Sequence, residues 1–360
     1  MHDVIVVGGG PTGFVTALGL AQAGVDVCLI EAGDAIISSP RSCVYHWSML
    51  DGLERLGIRE EAERIGYTKD DYLWLVKKTG ERLEYDISVV GKVTPYPYNI
   101  QLGQDRLAEI CLARLEAMPN AAIHWRTPFT GLSQDADGVT VRAEGPDGAV
   151  ELRARWAIGA AGAGSAVRKA LGLSFDGMTW PERFVATNVR HDFESGGYWQ
   201  STMVVDDEWG AVIVKITRDG LWRCTFMEDA ALPEETYLER IQAGYRHLLP
   251  GEGGYELVQS SPYKMHQRCA ETFRKGRVLL AGGSCSDGPG CGDPGATHAT
   301  AELYDPLTAT WAPTGTLPAG RTEQQAVRLA NGDALLLGRV GATASGAIWS
   351  VATGAWSPTA

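Results

Sequence analysis

The first 31 residues constrain this chain more than any other stretch. Residues 3–7 read Asp-Val-Ile-Val-Val, an apolar run rich in β-branched side chains, as a buried strand requires. Gly8-Gly9-Gly10-Pro11-Thr12-Gly13 follows at once. Residues 14–24 carry Phe14, Leu18 and Ala21 at helical spacing, with Val15 and Leu20 widening the face. A second apolar run, residues 25–30, ends at Glu31. The order is strand, glycine turn, helix, strand, acid. Gly8, Gly10 and Gly13 have the dinucleotide-binding spacing: the first allows a tight turn, the second lets a pyrophosphate approach the backbone, the third lets helix pack on strand.

Such a helix N-terminus offers unpaired N–H groups and a partial positive charge to phosphates, with Pro11 and Thr12 opening the helix. Glu31 stands 21 residues after Gly10, where a carboxylate can accept hydrogen bonds from an adenosine ribose. The plainer alternative is an ordinary strand–helix turn with a solvated Glu31. An acid at this place favours a ribose with free hydroxyls, hence FAD or NAD over NADP, and does not separate FAD from NAD.

The rest of the composition narrows the partners. At 360 residues the chain can form two or three domains. With 32 Lys+Arg against 44 Asp+Glu the net charge is −12, which argues against nucleic acid or an anionic membrane as main partner. No apolar run reaches the ~18 residues of a membrane span, and a strand starting at residue 3 leaves no room for a signal peptide. The seven cysteines are scattered without zinc or redox-motif spacing, so reduced thiols and a cytoplasmic location are expected. Cys285 and Cys291 share a glycine-rich loop and are the pair that could bond. The histidines show no metal spacing, so no metal site is expected.

Further along, Ser38-Ser39-Pro40-Arg41-Ser42 is a polar loop. Arg41 could clamp a pyrophosphate with its forked guanidinium, or be a surface charge. Residues 45–56 look helical, with Met49, Leu53 and Leu56 on one face. Residues 71–90 suggest a hairpin turning at Lys78-Thr79-Gly80-Glu81. Leu102-Gly103-Gln104-Asp105 opens an amphipathic helix through Leu107, Ile110, Cys111 and Leu115. Residues 129–134, 139–144 and 149–155 read as three strands, and residues 156–162 as an apolar strand running into a small-residue turn. Residues 184–226 are β-rich, residues 234–249 an amphipathic helix presenting Leu238, Ile241 and Tyr245, residues 256–268 a strand, and residues 276–282 a short buried strand.

Five stretches together resemble the FAD-dependent aromatic monooxygenases of the para-hydroxybenzoate hydroxylase type, over residues 1 to about 282. They are residues 7–13 with Glu31, Pro40-Arg41-Ser42, Leu102-Gly103-Gln104, residues 159–173 and residues 263–282. The resemblance implies FAD at the single nucleotide fold, with Arg41 on the pyrophosphate and Gln104 by the ribityl chain and flavin. It implies NAD(P)H as co-substrate, oxygen, and an aromatic or similar small organic substrate hydroxylated through a flavin hydroperoxide. The expected cofactor-binding set is Gly8, Gly10, Pro11, Thr12, Gly13, Glu31, Arg41 and Gln104, and no catalytic residue is assigned, because the flavin carries the chemistry. Tyr198, Trp199 and Trp222 are candidates for lining the substrate site, with core packing the favoured role for any one of them.

Two departures from that family support a second reading. Ala161 stands in Gly159-Ala160-Ala161-Gly162 where the family carries aspartate, and Gly283 stands where an aspartate follows the last strand. The tail has its own pattern. Leu303-Tyr304, Thr308, Trp311 and Pro313-Thr314 recur as Ile348-Trp349, Thr353, Trp356 and Pro358-Thr359, an offset of 45 residues. Asn331-Gly332 between the copies is a hairpin signal. This resembles kelch or galactose-oxidase-type propeller sequence and implies about one and a half blades. The alternative function is therefore a catalytically impaired fusion with a weak FAD site and a kelch-like binding or structural appendage, able to self-associate through exposed β edges.

The expected fold class is α/β, or α+β overall: a Rossmann-like FAD-binding fold with an inserted β-rich substrate domain, followed by a small antiparallel β segment. The expected domains are 1–174 for FAD, with substrate-side segments at about 71–100, then 175–262 for substrate, 263–282 returning to the FAD domain, and 283–360 as partial blades.

Overall fold

The opening strand β1 (His2–Val7) is buried on both faces. Val4 and Val6 pack with Phe14, Leu18 and Leu29 on one side; Ile5 and Val7 pack with Ile30, Val141 and Val167 on the other. A strand covered on both sides needs a continuous apolar run rather than alternation, which is what residues 3–7 supply. The structure, a computed structural model, describes residues 1–249, 254–282, 298–305, 310–328, 334–340, 343–350, 353 and 355–358. Gly283, Cys285, Cys291 and Asn331-Gly332 lie outside the described residues.

After β1 come α1 (Pro11–Gln22), β2 (Val27–Ile30), β3 (Val44–Tyr45), α2 (Trp47–Arg55), α3 (Arg59–Ile65) and β4 (Tyr67–Lys69). The hairpin β5 (Asp71–Val76) and β6 (Arg82–Asp86) leads to β7 (Asn99–Gln101) and α4 (Gln104–Glu116). Then follow β8 (Ala121–His124), β9 (Phe129–Gln134), β10 (Val139–Gly145), β11 (Gly148–Gly159) and α5 (Ala166–Ala170). The β-rich stretch holds β12 (Phe175–Arg190), β13 (Ser201–Val205), β14 (Ala211–Lys215) and β15 (Leu221–Asp229), then α6 (Tyr237–Leu248), β16 (Glu256–Ala270), β17 (Arg274–Lys275) and β18 (Val278–Leu280).

The described residues form two compact units, one within 1–174, 179–265 and 270–283, the other within 175–178, 266–269 and 284–360. The first is built on two large sheets. One runs β17-β18-β11-β1-β2-β8, with β18, β11, β1, β2 and β8 mutually parallel, and with β10 and β9 extending antiparallel from β11. The other is ordered β16-β12-β15-β14-β13-β5-β6. The mixed α/β architecture read from the sequence, Rossmann-like strand–helix–strand included, is the observed one. The hairpin at 71–86 belongs to the second sheet, because β5 pairs parallel with β13, Leu73 against Thr202.

Two helix faces differ from the sequence reading. Met49 is exposed while Leu50 and the expected Leu53 face the core; α2 begins at Trp47, not at 45, where the chain is still extended as β3. Leu238 is also exposed; α6 buries Ile241, Gly244, Tyr245 and Leu248 against the sheet. Gly244 is there for space: a Cβ would lie 2.7 Å from the Trp209 ring.

One buried ionic cluster braces the second sheet. Arg183 on β12 lies 2.7 Å from Glu228 on β15, and Arg240 of α6 reaches the same carboxylate at 2.6 Å. Arg183 and Glu228 are 3% and 8% exposed, so their charges are held by pairing, with the exposed Glu234 a second and longer partner of Arg183 at 3.7 Å.

The second unit contains β19 (His298–Asp305), β20 (Thr310–Arg328), β21 (Ala334–Val340), β22 (Thr343–Ser350) and β23 (Ala355–Pro358), joined in sequence order as an antiparallel sheet. The 45-residue offset of the sequence returns as register. Leu303, Tyr304 and Asp305 pair with Ala312, Trp311 and Thr310; Ile348, Trp349 and Ser350 pair with Ser357, Trp356 and Ala355.

Candidate functional site

The glycine turn after β1 is shaped by three different demands. Gly8 has φ +115°, and a Cβ there would lie 2.7 Å from the Ala160 carbonyl oxygen. At Gly13 a Cβ would lie 1.9 Å from the Gly8 carbonyl oxygen, so this glycine lets α1 close onto the turn. At Gly10 a Cβ would meet nothing within 4 Å, because that position opens onto a cleft. Gly10 is also the N-cap of α1, with no side-chain cap and no acid in the first turn. The first-turn N–H groups of α1 therefore have no side-chain cap and no acid within the turn itself, a condition under which a helix terminus takes an anion.

The cleft has a volume of about 640 Å³, within the ordinary range for a cofactor site. Gly8, Gly10, Pro11, Thr12, Glu31, Arg41 and Gln104 all line it; Gly13 lies beneath, in the packing. Glu31 ends β2, and its two oxygens accept N–H bonds from Gly9 (2.5 Å) and Gly33 (2.8 Å). Its carboxylate thus fixes the turn, and each oxygen keeps a lone pair for a further donor. Arg41 sits in the loop before β3 with its guanidinium 5.3 Å from the Tyr263 ring centre. Burial raises the Tyr263 phenol, against the opposing pull of Arg223, so it stays neutral beneath that cation. Gln104 is the first residue of α4, whose N-terminus is likewise uncapped by any side chain.

The cleft is closed from the other side by residues 127–129, which sequence reasoning missed, and by residues 160–162, which lie in the 159–173 stretch of the resemblance but outside the expected cofactor-binding set. Thr127 N–H donates to the Glu31 carbonyl at 2.7 Å, and Ala160 N–H to the Val7 carbonyl at 2.8 Å. The Thr127 contact is made by backbone alone, which leaves no motif. Ala161 is exposed in the cleft wall.

The proposed substrate-lining aromatics sit elsewhere. Trp222 and Tyr198 are buried in the cluster between the second sheet and α6, and the Tyr198 hydroxyl donates to the Leu248 carbonyl. Trp199 is half-buried, with Lys69 and Arg82 near its ring. Core packing is the role of the first two. Strand alternation puts the opposite set on the other face: Leu83, Trp74, Met203, Val212, Thr225 and Ala186 form one row across six strands.

A family described as FAD binding domain matches residues 1–292. The chain belongs to this FAD-binding family. It is 43% identical over 280 residues to the 6-hydroxy-3-succinoylpyridine 3-monooxygenase of Pseudomonas putida, covering 78% of this chain and 71% of that one. It is 39% identical over 286 residues to the para-nitrophenol 4-monooxygenase of a Pseudomonas species, with the same coverages. Among solved structures, p-nitrophenol 4-monooxygenase from Pseudomonas putida superposes with a TM-score of 0.75 at 37% identity, covering 78% of this chain and 72% of that one. A ternary complex of aklavinone-11 hydroxylase with FAD and aklavinone gives 0.68 at 28% identity, covering 78% and 56%.

FAD is therefore the cofactor of this FAD-binding monooxygenase-type chain, and the cleft fits it: an uncapped helix end, an open glycine edge, an acid and an arginine surround one volume. Among the described residues no group of His, Cys, Asp and Glu could hold a metal, and no helix is long and apolar enough to cross a membrane. Glu31→Ala removes two backbone-anchoring bonds at once. It is expected to cost about 1–3 kcal/mol of apoprotein stability and to weaken FAD binding by at least about tenfold, a loss of ~1.4 kcal/mol. Chemical denaturation and a fluorescence titration with FAD check the two numbers.

Proposed function

We propose that the chain is an NAD(P)H-dependent flavin monooxygenase that hydroxylates a small phenol- or hydroxypyridine-type ring. The single observation that carries this is the cleft that gathers Gly10, Glu31, Arg41 and Gln104 around the free end of α1. In this reading the first-turn N–H groups of Thr12 and Gly13 and the Arg41 guanidinium hold the pyrophosphate. Glu31 accepts from the adenosine ribose, and Gln104 lies along the ribityl chain. When bound, FAD accepts hydride from NAD(P)H and activates oxygen. The protein's own part is to bind, orient and keep water away. The aromatic substrate rests against the sheet row of Trp74, Met203, Val212 and Thr225, the face opposite α6. The two relatives named above, by their names, act on a hydroxylated pyridine and a nitrophenol, which supports a substrate of this size and polarity. The buried free thiols at Cys28, Cys43, Cys111 and Cys224 fit a cytoplasmic protein.

A second reading is a catalytically impaired fusion. Ala161 in the cleft wall favours it, and so do the two hairpins of equal register in the tail, which fit a propeller-blade repeat serving as a binding or self-associating appendage.

The test is to saturate the purified protein with FAD, desalt it and record the visible spectrum, then follow NAD(P)H oxidation and product formation with 4-nitrophenol and hydroxypyridines. A resolved flavin band with product formed is the expected result. A flavin band with peroxide and no hydroxylated product, or a colourless protein, selects the impaired fusion.

A further inference from the structure

Arg223 on β15 is 3% exposed, yet its bonds go to neutral acceptors. Its Nε–H donates to Asn188 Oδ1 at 3.0 Å, and its Nη1 donates to the carbonyl oxygen of Arg41. Asn188 Nδ2 in turn donates to Gln259 Oε1 at 3.3 Å, and Gln259 Nε2 donates to the Ser38 carbonyl at 2.6 Å. Tyr263, four residues further along β16, lies under the Arg41 guanidinium. On its other side the loop is tied to α4, where the Ser38 hydroxyl donates to Asp105 at 3.1 Å. Three strands of the substrate-side sheet thus hold the backbone of residues 38–41 at both ends of the segment that carries Arg41.

A buried guanidinium without a carboxylate is expensive to keep, since solvation is lost and no opposite charge replaces it. Its Nη1 donor fixes the loop directly at Arg41, and its Nε donor reaches the loop through Asn188 and Gln259. A loop of this kind would otherwise sample many conformations, and Arg41 would lose rotamer freedom and loop freedom together on meeting a phosphate. Holding the loop beforehand removes that cost from the binding step.

We propose that Arg223 is a positioning residue for the cofactor: through the Arg41 carbonyl and the Asn188–Gln259 relay it presets the 38–41 loop so that the Arg41 guanidinium meets the FAD pyrophosphate. This rests on the assignment of Arg41 to the pyrophosphate made above. Arg223 lies one row from Thr225 on the same sheet face, so the same side chain joins the cofactor loop to the substrate face.

The test is a double-mutant cycle on FAD affinity, measured by fluorescence titration of apoprotein, with apoprotein melting recorded alongside. Arg41→Met and Arg223→Met are each expected to raise the Kd for FAD about tenfold or more. In the Arg41→Met background, Arg223→Met is expected to add less than about twofold, and Arg223→Lys to restore part of the loss. A merely structural Arg223 would instead lower affinity by the same factor with or without Arg41, and that additivity overturns the proposal. So does an unchanged Kd in Arg223→Met when Arg41→Met is weakened. An unchanged Kd in Arg41→Met overturns the pyrophosphate assignment itself, a different failure. Should Arg223→Met not fold, Gln259→Ala carries the same cycle from the far end of the relay, with non-additivity against Arg41→Met expected and additivity overturning it.

Discussion

Gly13→Ala is expected to yield a protein that no longer retains FAD. The added methyl would lie 1.9 Å from the Gly8 carbonyl oxygen, a backbone atom that cannot rotate away. Either α1 lifts from β1 or the turn opens, and both displace the helix end from the cleft. Overpacking of this kind costs at least about 1–3 kcal/mol, and a loss of FAD affinity of about a hundredfold or more, ~2.8 kcal/mol, is expected with it. Gly10→Ala separates the fold from the site. Its backbone is extended at φ −78°, ψ 178°, and a Cβ meets nothing, so apoprotein stability should change by less than about 0.5 kcal/mol. The same methyl projects into the cleft and should still weaken FAD binding by about tenfold. Melting curves of both apoproteins, with desalted flavin content, give the comparison. Retention of FAD by Gly13→Ala with unaltered affinity would show that the close approach of helix and turn does not govern the site.

The second large effect lies away from the cofactor. Glu228→Ala leaves buried Arg183 with only the exposed Glu234 at 3.7 Å and takes from Arg240 the carboxylate both share, and about 3–5 kcal/mol of stability should be lost. The cost is of a stranded cation rather than of a missing contact. Arg183→Met combined with Glu228→Leu, which removes the charges together, should therefore recover part of it. A pH dependence follows. Burial pushes the Glu228 carboxyl up, but the hydrogen bonds from Arg240 and Arg183 outweigh it and hold its pKa below the ordinary value of 4.5. A carboxylate depressed in the folded state contributes stability above its unfolded pKa and loses it as pH falls through the folded one. The stability gap between wild type and Glu228→Gln should be full at neutral pH and shrink progressively below about pH 4.5. A gap that stayed constant down to pH 2 would remove the ionised carboxylate from the account.

How far the sequence discloses this protein depends on whether a residue's role is local. The glycine turn is legible because each glycine answers a demand set within a few residues or by the adjoining strand. Glu31 is legible for the same reason, although its capture of the Gly9 and Gly33 N–H groups is not. Met49 and Leu238 are exposed although their stripe partners Leu53, Ile241 and Tyr245 are buried, because each lies at the margin of its helix face, and Leu50, Gly244 and Leu248 complete the buried side instead. Trp222 takes the core-packing role that the sequence reading favoured, but which face of its strand it joins was not legible. A strand's two faces are told apart only by register, and one place along β15 separates the α6-covered Trp222 from the opposite face with Arg223. The relay from Arg223 to Ser38 was beyond reach, since its members are scattered from residue 38 to residue 259 and every acceptor in it is neutral. The tail repeat was visible as spacing, and its hairpin register gives that spacing a physical meaning.

The parallel pairing of β5 with β13 has a kinetic meaning. Leu73 finds Thr202 only after 128 intervening residues have been made. The last strand of the nucleotide sheet, β18, does not exist until residue 280 has left the ribosome. Neither large sheet can close early, and pairings of such separation form slowly. During that interval the β5–β6 hairpin, with Trp74, Leu83 and Tyr85 outward, has an open edge and no neighbour. Lower temperature and slower synthesis should therefore raise the yield of native protein more than any change made at the cofactor cleft.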